Sequence, residues 1–139
     1  MKKNLLLVGA LGLFAVLACN FNATTANLSS LKLSKDKSGS PEASGFAATD
    51  TVYSVAEVSN APGKIKVKGR LAFEDVEGQQ AGPVPGLEKT LDLPGSGTAT
   101  FTFTPPPSGW PKGKYKVEVF MLTEGGEQKD QKSASFTVS

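Results

Sequence analysis

From Lys64 to Phe73 the chain alternates without a break, with Ile65, Val67, Gly69, Leu71 and Phe73 on one side and Lys64, Lys66, Lys68 and Arg70 on the other. Successive side chains of an extended chain point to opposite faces, so a strict period of two predicts a strand with one dry face and one wet face. The pattern recurs. Ala99, Phe101 and Phe103 alternate with Thr98, Thr100, Thr102 and Thr104, and Tyr115, Val117, Val119 and Met121 alternate with Lys114, Lys116 and Glu118. Leu87, Leu91 and Leu93 mark a weaker strand, Ala134, Phe136 and Val138 a last one, and residues 51–59 are nearly continuous in apolar character. Asn60-Ala-Pro-Gly63, Gly78 to Gly86, Pro94 to Gly97, Pro105 to Gly113 and Glu124 to Glu127 separate these segments with turn residues, and none of them supports a helix. Six or seven short strands at this spacing predict an all-β body in which two antiparallel sheets bury their inner faces against each other. A small barrel is the alternative.

Composition narrows the chemistry. The 139 residues include no histidine and one cysteine. Ser-His-Asp and Cys-His catalysis, zinc sites with imidazole ligands and histidine pH switches are therefore excluded, as is an intrachain disulfide. No Gly-rich phosphate loop or dinucleotide fingerprint is present, and no resident cofactor or metal is expected. Glu74-Asp75-Val76-Glu77 reads as an acidic turn, without the spaced carboxylates of a calcium loop.

Lys2 and Lys3 precede an uncharged run from Leu5 to Ala18, too short to span a bilayer and ending at the lone Cys19. Ala15-Val16-Leu17-Ala18-Cys19 resembles the lipobox of bacterial lipoproteins, with Val16 and Leu17 where that family most often has Leu and a small residue. The resemblance implies a signal peptide over 1–18, cleavage before Cys19, acylation of its thiol and attachment of the exported protein to a bilayer. Asn20 after the cysteine resembles the signal for sorting to the outer membrane. Loss of residues 1–18 takes Lys2 and Lys3 and leaves thirteen basic and thirteen acidic side chains. A neutral chain carries no general attraction to nucleic acid, so any electrostatic contact has to be local.

Residues 19–44 are rich in Asn, Thr, Ser, Lys and Gly and read as the lipidated cysteine and a flexible tether, about 28 Å in mean reach. The competing reading gives Leu28-Ser-Ser-Leu31-Lys-Leu33 to a short edge strand or a helical turn. The sandwich is expected over 45–139. Within it, Gly113-Lys-Tyr115-Lys-Val117 resembles the Gly-x-Tyr-x-Cys segment of immunoglobulin-like domains, and the longer segment Gly109 to Val119 resembles bacterial Ig-like domains of exported proteins. That resemblance implies about seven strands, near 45–49 (A), 51–59 (B), 64–73 (C), 87–93 (D or E), 98–104 (E), 114–122 (F) and 132–138 (G). It also implies that Tyr115 is a corner tyrosine whose hydroxyl bonds a backbone group upstream. Leu71, with Val55 or Val58, would replace the usual tryptophan and disulfide.

If strands C and F pair, Lys64, Lys66, Lys68, Arg70, Lys114 and Lys116 share one face, a candidate for an anionic envelope polymer or an acidic protein. A solvated face partly neutralised by Glu118 and Glu57 is the alternative. Phe120 and Leu122 fall on the same outward face, either covered by a loop such as Gly78 to Gly86 or exposed to a partner. Trp110, between prolines, either plugs the open end of the sandwich or forms a contact platform. These features together describe a non-catalytic binding or assembly module on a bacterial envelope, with an accessory subunit of a surface complex as the alternative and an enzyme last.

Overall fold

The computed structural model describes residues 25–139; Cys19 and the segment before it lie outside the described residues. Eight strands follow in order: β1 (Asn27–Ser34), β2 (Gly45–Phe46), β3 (Val52–Ser59), β4 (Ile65–Val76), β5 (Gly82–Leu93), β6 (Gly97–Phe103), β7 (Gly113–Thr123) and β8 (Gln128–Val138). They form a three-stranded sheet, β1-β3-β6, and a five-stranded sheet, β2-β8-β7-β4-β5. In immunoglobulin lettering the order is A-B-E over A′-G-F-C-C′, so the fold is an immunoglobulin-like β-sandwich. Only β2, a two-residue strand, runs parallel to its neighbour, β8.

The alternation read in the sequence becomes the core. Val67, Leu71, Val117, Val119 and Met121 face Val52, Ala56, Phe101 and Phe103 across the two layers, all essentially removed from water. Burying a side chain of this size is worth about 1.5–3 kcal/mol. Gly69 has a specific reason to be glycine. The Phe101 ring lies over it, and a Cβ there would sit 2.7 Å from the ring. Val58 joins this core, whereas Val55 points to the opposite face of its sheet, where its methyl groups pack against Gly39.

Three expectations change. The reading of residues 19–44 as a tether fails from Asn27 onward, because β1 pairs along β3 from Asn27↔Ser59 to Ser34↔Tyr53 and buries Leu28 and Leu33. Strand A is therefore β1, and the segment expected at 45–49 shortens to β2. The strand expected at 87–93 begins at Gly82, inside the predicted turn, and pairs with β4 as C′.

The sandwich closes differently on its two sides. Beside β1, the Asp130 carboxylate of β8 accepts the Leu28 amide at 2.8 Å, where a bulge between Leu28 and Ser30 interrupts the ladder to β3. On the other side, the Phe101 ring over Gly69 puts β6 above β4. β5 lies beyond β4 in the lower sheet, so it overhangs β6 by one strand. The sandwich also has two distinct poles. The chain enters beside the β3–β4 turn, where the Thr25 hydroxyl donates to the Asn60 carbonyl at 2.9 Å. Trp110 and Tyr115 stand at the opposite pole, near Val52 and Phe103.

Candidate functional site

β4 and β7 do pair, Lys68 opposite Phe120 and Arg70 opposite Glu118, so the expected cations share a face. Register then decides their charge. β5 brings Asp92 beside Lys66 and Glu88 beside Arg70. Lys66 Nζ lies 2.8 Å from Asp92, Lys68 Nζ 3.7 Å from Glu88, and Arg70 Nε 2.7 Å from Glu118, which Lys116 also approaches at 3.5 Å. Lys114 sits 3.9 Å from Glu74, whose carboxylate also accepts the Ser135 hydroxyl. The hydrogen bond to Asp92 holds the Lys66 ammonium above the usual lysine range. Only Lys64 of the six expected cations has no ion pair among the described residues. The cationic patch is thus an alternating ladder of ion pairs in which the exposed ones are each worth about 0–1 kcal/mol and the two on Glu118 are partly buried, and its outer field is short-ranged.

Phe120 is buried on this outward face, but not by residues 78–86. Arg70 and Lys68 cover it, with the guanidinium 5.0 Å and the ammonium 5.3 Å from the ring centroid. The aliphatic stems exclude water while the charged heads reach Glu118 and Glu88. Leu122 is half-buried in the row of Lys66. Neither residue offers an open apolar patch.

Trp110 plugs the pole. It is 4% exposed, its backbone amide donates to the Ala48 carbonyl at 2.8 Å and its indole donates to the Asp50 carbonyl at 2.7 Å. The Asp50 carboxylate accepts the Ala47 amide and faces Lys35 at 3.4 Å, which holds it below the usual carboxylate range. Tyr115 stacks on Phe136 with centroids 5.2 Å apart, and its hydroxyl donates to the Pro111 carbonyl four residues upstream. This is the corner arrangement expected from Gly113-Lys-Tyr115.

An open, mainly apolar surface lies at the overhang. Phe73, Val84, Pro85, Leu87, Pro106 and the rim of Trp110 line a trough of about 350 Å³, predominantly apolar. Past Leu87 it continues into a slot of about 240 Å³ between β5 and β6, bordered by Lys89, Leu91, Thr100, Phe101 and Phe103. Leu87 comes from the start of the strand expected at 87–93, and Val84 and Pro85 come from the stretch expected to be turn. Their signal was Pro83-Val-Pro85, an apolar residue between two prolines, which an edge strand tolerates because its outer amides need no partner. Among the described residues, no group of three or more acidic side chains gathers as a cation site.

No known protein family and no curated protein matches the sequence. Several solved structures align along most of it. The PmoD soluble domain from Methylocystis sp. ATCC 49242 (Rockwell) is 16% identical with a TM-score of 0.42, covering 78% of this chain and 89% of its own. A Niemann-Pick type C2 protein from the Japanese carpenter ant is 12% identical with a TM-score of 0.49, covering 82% and 92%. Spo0M, a sporulation control protein from Bacillus subtilis, is 16% identical with a TM-score of 0.45, covering 82% of this chain and 49% of its own.

Proposed function

We propose that the protein is a lipoprotein of the bacterial envelope, held to a bilayer through acylated Cys19, whose sandwich is a non-catalytic binding or assembly module. The observation that carries the binding role is the trough from Phe73 to Trp110, an open apolar surface on a body in which Lys66, Lys68, Arg70, Lys114 and Lys116 are ion-paired and Phe120 is covered. Water in such a concavity is released when an apolar surface fills it, which favours association. The ion-paired outer face offers solubility and little else to a partner.

Two measurements test the two halves of this reading. Metabolic labelling with a fatty acid is expected to mark the wild-type protein and not Cys19→Ser; an unmodified thiol in the mature protein refutes the anchor. A photoreactive residue at Val84 in intact cells is expected to give discrete adducts that Leu87→Asp abolishes. Adducts insensitive to Leu87→Asp, or none, refute the trough as the contact.

A further inference from the structure

We infer that the slot between β5 and β6 receives one extended strand of a partner polypeptide, added to the free edge of β6. The inference rests on the binding-module reading and names the kind of partner it takes.

β6 pairs with β3 on one side only, so its other edge presents unpaired backbone donors and acceptors. Exposed edges are normally guarded by charge, proline or a bulge. β5 is guarded in this way, by Pro83, Pro85, Lys89 and a register shift opposite Arg70 and Ala72. Gly97–Phe103 has none of these devices: its sequence GTATFTF is uncharged, regular and rich in strand-forming residues. This unguarded edge lies beside the apolar ledge of β5. In constant-type immunoglobulin domains a further strand, D, stands next to E, and here that position is empty above the inner face of β5. A strand placed there, about 4.8 Å from β6, would lay alternate side chains on Leu87 and Leu91 while its backbone completes the ladder.

The ledge also selects the occupant. Two copies paired edge to edge through β6 would each drive β5 into the space that β4 of the other copy fills, because β5 overhangs β6 by one strand. A single extended segment fits where a second sandwich does not. Lys89 sets the charge. It is exposed and has no ion pair among the described residues, whereas Glu88, the other charged residue bordering the slot, is paired with Lys68 on the outer face. The partner strand is therefore one of alternating apolar residues with a carboxylate placed to meet Lys89.

The test displays random nine-residue peptides to the full chain and to Lys89→Glu, an exposed change that leaves the core intact. Wild type is expected to select alternating apolar sequences carrying Asp or Glu, at least tenfold over the Lys-substituted versions, and Lys89→Glu is expected to invert that preference. Binding of the selected peptide is expected to slow hydrogen exchange at backbone amides within Thr98–Phe103. No alternating selection, a preference untouched by Lys89→Glu, self-association through β6, or protection, before peptide is added, of the β6 amides that do not bond β3 each overturns strand addition. If Val84 adducts persist in cells in any of those outcomes, the binding-module reading stands and only the strand inference falls; if the adducts are lost as well, both fall.

Discussion

Gly69→Ala is the sharpest single test of the two-layer packing. A methyl at this position meets Phe101 Cγ at 2.7 Å and both Cδ atoms at 2.8 Å, distances that real Cβ atoms do not reach. Phe101 is 2% exposed and packed in the core with Val67, Leu71 and Val117, so the ring can yield only toward the slot that it borders. Forcing one methyl into such a core costs about 1–3 kcal/mol. The substitution also narrows the unfolded ensemble, which returns about 0.4–1 kcal/mol. The balance is a loss of about 1–2 kcal/mol, or about 4–8 °C in Tm for a domain of this size. Thermal or urea unfolding followed by circular dichroism measures it. The companion variant Gly69→Ala/Phe101→Leu gives the added methyl room, so the two changes together are expected to cost less than the sum of the separate ones. A Gly69→Ala protein as stable as wild type, or strict additivity in the double variant, would refute the close approach of β4 and β6 on which the overhang of β5 depends.

Other outcomes follow from single groups. Ser54 is fully buried and its hydroxyl has no hydrogen-bond partner, so Ser54→Ala is expected to be neutral or to raise stability by up to about 1 kcal/mol in urea unfolding. Tyr115→Phe removes the hydroxyl that donates to Pro111 and is expected to cost about 1 kcal/mol. Burial raises the Tyr115 pKa above 10.0, so its contribution is complete below that value and is lost as pH rises through the folded pKa. Alkaline unfolding monitored by tyrosinate absorbance is therefore expected to be less steep in Tyr115→Phe. Asp50 runs the other way. Its pKa is lowered from 3.8, so its contribution is present above that value and fades as pH falls through the folded pKa, and Asp50→Asn is expected to flatten the loss of stability below about pH 4.

The strands that alternate cleanly were legible, and so was the corner at Tyr115, because period and motif are local properties of the chain. The first strand was legible only as the competing reading, an edge strand over residues 28–33, because its bulge weakened the signal. The register shift between Leu28 and Ser30 changes the phase, so the buried positions fall at Leu28 and Leu33, five residues apart, and the apolar residues mimic the sparse spacing of a tether. β5 was obscured by Gly82, Pro83, Pro85 and Gly86, residues that signal a turn in isolation but are permitted in a strand bonded on one side only. The cationic face failed for a different reason. Lys66, Lys68 and Arg70 are adjacent in one strand; Glu118 was legible as a neutralising neighbour once strands C and F pair, but Asp92 and Glu88 arrive from β5, 26 and 20 residues away from their partners, through a register that no local pattern records. The trough was invisible for the same reason, since it belongs to the gap between two sheets.

The two poles of the sandwich set a direction. The described chain begins at the Asn60 turn, and β7, with 11 residues, spans roughly 36 Å toward the pole where Trp110 sits. Thr25 and the trough therefore stand at opposite ends of the sandwich, so a partner reaches the trough without approaching the end at which Thr25 sits.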